Sequence, residues 1–286
     1  MALVPRISFE IFPPKTPQGD AALDVTLEQL APLRPAFLSV TYGADGSGQE
    51  RTVRLVERLN DAGLPLAAHL TCVGATRDEV DDLARIWRDM GIKRIVALRG
   101  DVPGGGPWRP HADGYSRAAA LVAGLCRVAP FDIAVAAYPE PHPDSPTPAA
   151  DIENLKAKQD AGAATAITQY CFETEAILRF RDRAAAAGVT MEIVPGILPI
   201  VDFARTVAFS RRCGAGIPDW LCAQFEGLEG DAETSAMVAA SVAVEQCHTL
   251  ISEGFRHFHF YTMNKAPLSY AVCRRLGVHP ALPEAA

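Results

Sequence analysis

The chain has 286 residues, of which 49% are hydrophobic and 21% are charged, and its net charge is −7. This length and composition allow a large buried core without metals or disulfides, and the acidic balance argues against a protein that binds nucleic-acid backbones. The seven cysteines are odd in number and none are spaced as C-x-x-C, which argues against a disulfide framework or a zinc ribbon and predicts small buried side chains in a reducing compartment.

Short β-branched or aromatic runs alternate along the chain with longer segments of helical periodicity. The predicted strands cover Arg6–Phe12, Phe37–Tyr42, Leu66–Cys72, Arg94–Arg99, Asp132–Tyr138, Ala164–Cys171, Met191–Ile197 and His257–Met263. The predicted helices cover Ala21–Leu33, Arg51–Ala62, Arg77–Met90, Tyr115–Val128, Ala149–Ala161, Glu173–Ala187, Asp202–Arg212 and Asp231–Glu253. This alternation predicts a (β/α)₈ barrel that spans residues 1–286 as one domain, with an open doubly wound sheet as the alternative.

Several local signals refine this prediction. Thr76 with Glu79 predicts a capping box, and Asp151 with Asn154 predicts the start of another helix. Gly43 and Gly46 belong to a glycine-rich loop whose spacing, G-x-x-G-x-G, differs from the dinucleotide-binding fingerprint. The first residues do not resemble a signal peptide, and charges or prolines interrupt every apolar stretch before it reaches the length of a membrane span, so we expect a soluble cytoplasmic protein.

Barrel enzymes place their chemistry where strands end, and Glu10 lies near the end of the first predicted strand. Alternation places Ser8 and Glu10 on the inward face, and Ile7 and Phe9 on the face that packs against helices. Burial among apolar neighbours raises the pKa of a carboxyl group, and a carboxylic acid that stays protonated near neutral pH is a proton donor. A structural glutamate paired with a cation is the alternative interpretation.

Other strand ends are also polar. Arg99 and Asp101 flank Gly100, which permits close approach of a ligand to the backbone, although a local Arg–Asp pair is the alternative. Gln169 follows the sixth strand and both donates and accepts hydrogen bonds, as recognition of an amide-like ring edge requires. Lys265 follows the eighth strand and is either the partner of a substrate carboxylate or a solvated lysine. His69, Tyr138 and His142 end or follow further strands.

His257 and His259 share one face of the eighth strand. Two such histidines are compatible with a metal site, but no carboxylate or cysteine lies beside them at ligand spacing. We therefore expect no metal and interpret them as packing residues inside the barrel.

The amino-acid sequences at these strand ends resemble those of the methylenetetrahydrofolate reductase family. The matching motifs occur in the family's order: Ser8–Lys15, Val40–Ala44, His69–Cys72, Ala97–Asp101, Ala136–Glu140 with His142–Pro143, Asn154–Lys156 with Lys158, Asp160–Ala163, Ala166–Gln169, Val194–Pro199 and Phe258–Thr262. One such motif is weak evidence, whereas the ordered set covers most of the chain. The chain ends near the predicted close of the barrel, so we expect the short bacterial type, without a C-terminal regulatory domain or control by S-adenosylmethionine.

The resemblance implies a barrel that holds FAD non-covalently and takes electrons from NADH or NADPH. It further implies ping-pong hydride transfer through the flavin to 5,10-methylenetetrahydrofolate, which gives 5-methyltetrahydrofolate for one-carbon metabolism and methionine biosynthesis. By motif, Glu10 matches the acid that protonates the folate, and Asp101 matches a carboxylate near flavin and pterin. The implied flavin contacts are Thr41, His69, Arg99, Gly100, Asp101, Tyr115, Ser116, Tyr138, His142, Asp151 and Lys158, and the implied folate contacts are Glu10, Gln169, Phe209, Tyr261 and Lys265.

Three positions depart from the resembled pattern. Lys265 stands where bacterial relatives commonly have arginine, and lysine lacks the bidentate fork that binds a carboxylate. Arg205 lies where glutamine is common, and Ser116 replaces a usual alanine. These departures leave open the choice between NADH and NADPH and the preferred direction of the reaction.

Two alternative functions remain open from the sequence. The same fold is compatible with a flavin enzyme that works mainly as a 5-methyltetrahydrofolate oxidase, or with a relative such as proline dehydrogenase. A cofactor-free barrel that serves as a subunit or scaffold is the alternative from a different class. The sequence leaves the oligomeric state open, and a homo-oligomer is compatible with it.

Overall fold

The barrel sheet consists of parallel strands that alternate with helices. A computed structural model describes residues 4–42, 47–102, 104, 106 and 108–281. Its strands are β1 (Arg6–Ile11), β2 (Leu38–Val40), β3 (Leu66–Thr71), β4 (Arg94–Leu98), β5 (Asp132–Ala137), β6 (Thr165–Thr168), β7 (Glu192–Val194), β8 (Gly196–Ile197) and β9 (His257–Tyr261).

The sheet closes on itself through one interrupted strand. Its order is β7-β6-β5-β4-β3-β2-β1-β9-β8, with every pairing parallel. The two ends of this order, β7 and β8, are consecutive in the chain and flank Pro195, which has no N–H to donate to a ladder. The Pro195 carbonyl still accepts the His259 N–H at 2.9 Å. The (β/α)₈ barrel is thereby confirmed, and the open-sheet alternative is wrong.

Helices cover the outside of the barrel. They are α1 (Pro17–Leu30), α2 (Ser47–Asp61), α3 (Arg77–Asp89), α4 (Ala118–Val128), α5 (Pro148–Asp160), α6 (Thr174–Ala186), α7 (Phe203–Cys213), α8 (Asp219–Phe225), α9 (Ala232–Ser252) and α10 (Ala266–Arg275). The predicted capping box of Thr76 and Glu79 is present at the start of α3. Within the part of the chain that the structure describes, none of these helices is long and apolar enough to cross a lipid bilayer.

The alternation predicted for the first strand is confirmed. Ile7, Phe9 and Ile11 are almost fully buried and pack in the same core cluster as helix residues such as Leu23 and Leu27. The opposite face points into the barrel, where a separate small cluster contains Phe37, Ala67, Val96, Ala134, Ile167 and Val194. Two members of this cluster, Val96 and Ile167, also line the cavity at the carboxyl ends of the strands.

Several element predictions need correction. The helix predicted from Tyr115 begins at Ala118, so Tyr115 lies in the preceding loop. Thr147, not Asp151, caps α5, because its side chain accepts the Ala150 N–H. Helices α8 and α10 were not predicted. The glycine-rich loop after β2 falls partly on Gly43 and Gly46, which lie outside the described residues.

The cysteines are less uniformly buried than predicted. All seven lie in the described part of the chain, and none forms a disulfide. Four are buried, whereas Cys126 and Cys222 are exposed and Cys213 is half-buried.

Candidate active site

A cavity of about 450 Å³ opens at the carboxyl ends of the strands. It falls within the usual size range of ligand pockets. Most of the residues predicted for the site line it: Glu10, Thr41, His69, Arg99, Gly100, Asp101, Tyr138, His142, Asp151, Lys158, Gln169, Phe209 and Tyr261. Parallel strands bring their carboxyl ends to one rim, so side chains that are far apart in the chain meet there.

Glu10 lies on the inner face of β1, with its side chain 25% exposed, and its carboxyl Oε2 is 3.7 Å from Nε2 of His69. Burial raises the pKa of Glu10 to about 8 and lowers the pKa of His69 to about 3. These two directions make the neutral acid and the neutral imidazole the stable pair at neutral pH, so this contact is not a salt bridge. Nε2 of His69 is buried and has no hydrogen-bond partner among the described residues, which leaves it available to a ligand.

The backbone of Glu10 is held at the junction of β1 and β9. The Thr262 hydroxyl donates to the Glu10 carbonyl at 2.6 Å. Beyond the strand, the Asn264 side chain accepts the Phe12 N–H at 3.0 Å and donates to the Phe12 carbonyl at 2.8 Å. These bonds position the end of the strand that carries the acid.

Cationic and aromatic side chains follow β4 on the opposite side of the cavity. Arg99 forms an ion pair with Asp144 at 2.8 Å, and its guanidinium lies 5.5 Å from the centroid of the Trp108 ring. Asp101 is exposed at the rim. The ion pair of Arg99 is therefore with an aspartate that follows β5, and not with Asp101, the local partner considered as the alternative.

Gly100 has a structural reason of its own. Its φ is +85°, and a Cβ placed there would lie 2.5 Å from Cγ1 of Val73 and 2.9 Å from Cβ of Thr71. The glycine is thus required by its left-handed backbone and by the end of β3. The sequence suggested that this glycine allows close approach of a ligand. The packing requires a glycine here whether or not a ligand is bound.

A second polar group follows β5. Tyr138 and His142 pack edge to face at 4.6 Å, and Asp151 accepts the His142 N–H at 3.0 Å and also bonds the Ser145 hydroxyl. Lys158 is buried and donates from Nζ to the Ala136 carbonyl at 2.8 Å. Burial lowers the pKa of Lys158 to about 8, although the nearby Asp151 opposes this shift.

The third side of the cavity is aromatic. The Tyr261 hydroxyl donates to the Thr168 carbonyl at 2.7 Å, and its ring fills the space beside Gly196, where a Cβ would lie 2.5 Å from Cε2 of Tyr261. Phe209 reaches the cavity from α7 and is 37% exposed. Gln169 also lines the cavity, and its Oε1 accepts the Tyr170 N–H at 3.0 Å.

Three predicted contacts do not line the cavity. Tyr115 is buried, and its hydroxyl donates to Asp81 of α3 at 2.7 Å while its ring covers Gly124 of α4. Ser116 is exposed in the loop before α4. Lys265 is exposed at the residue that precedes α10. Binding roles for these residues remain predictions.

The structure adds cavity residues that sequence reasoning did not select as site residues. They are Tyr42, Arg117, Asp144, Ser145, Asn154, Tyr170, Leu198, His259 and Met263, together with further residues of strands β4, β5 and β6. Tyr42 and Asn154 belonged to matched motifs, which was the available signal. His259 lies below the cavity, where its Nδ1 is 2.8 Å from the Ser8 hydroxyl. Among the described residues, no group of three metal-ligating side chains includes either strand histidine.

The donor set suits an elongated ligand with both a polar ring system and phosphates. Arg99, paired with Asp144, and Lys158 are cations of the lining, and the Asp151 carboxylate is occupied by His142 and Ser145. The unpartnered Nε2 of His69 and the aromatic side at Tyr261 suit a polar heterocycle. The cavity is therefore chemically asymmetric, with an acid and an aromatic wall on one side and cations on the other.

Comparison with known proteins gives a consistent result. The family model "Methylenetetrahydrofolate reductase" matches residues 3–277. The 5,10-methylenetetrahydrofolate reductase of Salmonella typhimurium is 47% identical over 278 residues, covering 97% of this chain and 92% of the relative. The enzyme of the same name from Escherichia coli K12 is 46% identical with the same coverage.

Solved structures share the fold. A Clostridium thermocellum protein, described as uncharacterized and as binding two copies of 5-methyl-5,6,7,8-tetrahydrofolic acid, matches with a TM-score of 0.65 at 17% identity, covering 97% of this chain and 96% of that one. Dihydropteroate synthase from Stenotrophomonas maltophilia matches with a TM-score of 0.52 at 13% identity, covering 96% and 91%. These identities show the shared fold alone. With a family model matched over nearly its whole length and relatives above 45% identity, this chain belongs to the methylenetetrahydrofolate reductase family.

Proposed function

We propose that this protein uses non-covalently bound FAD to reduce 5,10-methylenetetrahydrofolate to 5-methyltetrahydrofolate, with NADH or NADPH as the electron donor in a ping-pong sequence. The observation that carries this proposal is the pair of Glu10 and His69, which places a protonated carboxyl group beside an unpartnered imidazole nitrogen inside a cavity with cations on its far side. The folate-binding description of the Clostridium thermocellum neighbour supports a folate as the ligand.

The residues that would hold FAD lie on the side of β3 to β5. Arg99 and Lys158 would neutralise its phosphates, and Thr41, His69, Tyr138 and His142 would contact its polar groups. Asp151 would hold His142 and Ser145 in place through the bonds it already makes. Ser116 would contribute from the exposed loop before α4, and Tyr115 from its buried position outside the cavity lining. When bound, FAD supplies a carrier that accepts a hydride from the nicotinamide and releases it to the one-carbon unit of the folate.

Glu10 is the proposed proton donor. It is protonated at neutral pH because its burial disfavours the carboxylate. Protonation of the folate at nitrogen opens the five-membered ring and makes the one-carbon unit electrophilic, and the proton is replaced from solvent after product release. His69, held neutral by burial, does not compete for that proton.

The remaining residues orient the substrates. Gln169 would bind the pterin edge with its amide, and Asp101 would act from the rim between flavin and pterin. Phe209 and Tyr261 would pack against the ring systems on the aromatic side. Lys265 would meet the carboxylate tail of the folate outside the cavity.

The proposal is tested on the purified protein. Heat denaturation and filtration should release FAD, identified by chromatography against FMN. In anaerobic stopped-flow experiments, NADH or NADPH should bleach the flavin absorbance, and 5,10-methylenetetrahydrofolate should restore it. A protein without flavin, or one with FMN or with covalently retained flavin, contradicts the proposal. Bleaching by 5-methyltetrahydrofolate that is much faster than by either nicotinamide would instead identify an oxidase.

A further inference from the structure

Tyr170 occupies the junction between the cavity and helix α7. It lies two residues after the end of β6, lines the cavity and is 3% exposed. Its sequence position, next to Gln169 at the end of an alternating strand, gives no indication of a role. The contacts of its hydroxyl group, ring and backbone each connect it to a different part of the proposed substrate site.

The hydroxyl of Tyr170 bonds to α7 alone among the described residues. It lies 2.9 Å from the Ser210 hydroxyl and 3.2 Å from Sγ of Cys213. Burial raises the pKa of Tyr170 above its ordinary value, so the hydroxyl remains a neutral group that can donate to one partner and accept from the other.

Helix α7 has apolar attachments at its two ends, because Phe203 and Cys213 pack against the cluster that contains Tyr170, and Phe203 also stacks on Phe225 of α8. Of its 11 residues, all of which the structure describes, Thr206 and Ser210 are the two that are buried. Ser210 is fully buried and meets the Tyr170 hydroxyl. Between these ends, the Tyr170 hydroxyl makes the polar contacts that join the turn carrying Phe209 to the described part of the barrel, so the position of that turn is sensitive to their loss.

The ring and backbone of Tyr170 contact three of the proposed substrate residues. The ring stacks on Phe209 at 6.2 Å with an interplanar angle of 22° and meets Tyr261 edge to face at 6.1 Å. The Tyr170 N–H donates to Oε1 of Gln169 at 3.0 Å, which orients that amide. One buried residue thus connects, through its backbone, the amide proposed to bind the pterin and, through its side chain, the aromatic wall and the helix that carries Phe209.

We propose that Tyr170 is a positioning residue whose hydroxyl holds α7 against the cavity and thereby sets the affinity for folate and nicotinamide through Phe209. This inference rests on the proposed function, because it assigns Phe209 to the substrates. Tyr170 does not take part in proton or hydride transfer. Its loss therefore weakens substrate binding and leaves flavin binding on the opposite wall intact.

The test uses the flavin-loaded enzyme with Tyr170→Phe, which retains the ring and removes the hydroxyl. The dissociation constant of 5-methyltetrahydrofolate, measured by anaerobic calorimetry on the enzyme with reduced flavin, which cannot accept a hydride from this ligand, should rise about three- to tenfold, the range expected for loss of such hydrogen bonds. The KM values of both substrates should rise similarly, while kcat at saturation and flavin content stay within about twofold.

Two further variants make the result specific. Ser210→Ala removes the partner of the hydroxyl and should reproduce the weaker folate binding, without additivity in the double variant, because both changes break the same contact. It also carries the test if Tyr170→Phe fails to fold. Thr206→Val is the matched control, since the Thr206 hydroxyl bonds only within α7, to the Asp202 carbonyl at 2.8 Å. It should leave folate binding unchanged.

A double-mutant cycle of Tyr170→Phe with Phe209→Ala measures the coupling between these two residues in folate binding. Removing Phe209 should weaken folate binding in the wild type but add much less in the Tyr170→Phe background. Unchanged folate binding in both Tyr170→Phe and Ser210→Ala, equal weakening in Thr206→Val, or full additivity with Phe209→Ala would each overturn the inference. Failure of the wild-type enzyme to bind folate would instead overturn the proposed function, and this inference with it.

Discussion

At the residue scale, the chemistry of Glu10 follows from where β1 places it. The same carboxyl group on a solvated helix would be ionised at neutral pH, but inside the barrel burial raises its pKa to about 8. His69 is the nearest basic group and does not offset this effect, because its own burial keeps it neutral. The two side chains therefore form a neutral pair whose proton lies on the carboxyl group.

Glu10→Gln tests this assignment. The amide is similar in size to the protonated acid but has no proton to transfer, so folate reduction should fall by about 10²-fold or more, the usual scale for general acid catalysis. Flavin binding and flavin reduction by the nicotinamide should stay near wild type. Paired half-reaction kinetics measure both steps, and near-normal folate turnover in the variant would rule out Glu10 as the donor.

The proposed role of Glu10 predicts the direction in which the rate of folate reduction changes with pH. As the proposed donor, Glu10 would supply a proton only while protonated, so the rate of folate reduction should be high below pH 8 and should fall as the pH rises through about 8. The half-reaction with the nicotinamide should lack this decrease, and Glu10→Gln should abolish it.

In the apoprotein, the raised pKa also means that Glu10 reduces the free energy of unfolding progressively between about pH 4.5 and 8. Denaturant titrations of wild type and Glu10→Gln should therefore diverge in this range.

At the element scale, the turn between β9 and α10 determines the environment of Lys265. Met263 and Asn264 both have φ of 52°, and the Lys265 N–H donates to the Thr262 carbonyl at 2.9 Å. This turn places Asn264 against Phe12 and leaves the Lys265 side chain exposed beside the rim. A cation held in solvent gives a weaker contact to a carboxylate than a buried one.

Lys265→Ala should therefore have a modest effect. We expect the KM for folate to rise about two- to fivefold, in line with an exposed ion pair worth about 0–1 kcal/mol, and flavin reduction by the nicotinamide to stay unchanged. Lys265→Arg should hold or improve folate affinity because its fork binds a carboxylate at two points. Slower flavin reduction with an unchanged folate KM in Lys265→Ala would instead assign the lysine to the nicotinamide or to FAD.

At the scale of the whole molecule, the proposed flavin site connects strands that are far apart in the sequence. Thr41 follows β2 and Lys158 belongs to α5, so a ligand that contacts both bridges a large part of the barrel. Such a ligand binds the native state and not the unfolded chain, and its binding free energy adds to the free energy of unfolding.

Removal of FAD should accordingly lower the midpoint of thermal unfolding. At an FAD concentration of about 100 times its dissociation constant, linkage gives about 2.7 kcal/mol of added stability, and the midpoint should rise with FAD concentration. Differential scanning fluorimetry of the apoprotein during FAD titration measures this, with FMN as the control ligand. An unfolding midpoint that does not respond to FAD would contradict the proposed site.

The order of the strands and most of the candidate site were predictable from the sequence. The alternation of side chains along a strand and the location of barrel active sites at the ends of strands can both be inferred from short stretches of sequence. Pro195 can be read from the sequence, but its position where the barrel sheet closes cannot. Closure depends on the pairing of β7 with β6 and of β8 with β9, and β9 lies far away in the chain. Tyr115 was placed in a helix because local periodicity gives no indication of Asp81, which accepts a hydrogen bond from its hydroxyl and holds it in the loop before α4.

The sequence by itself determined the barrel, the inward direction of Glu10 and the set of polar strand ends, because these depend on periodicity and chain order. The tertiary structure alone decided that Arg99 pairs with Asp144, that Nε2 of His69 is left unpartnered and that Tyr170 connects Gln169, Phe209 and Tyr261. These contacts join residues whose separation in the chain carries no information about their distance. They arise only when the closed ring brings the ends of all its strands to a single rim.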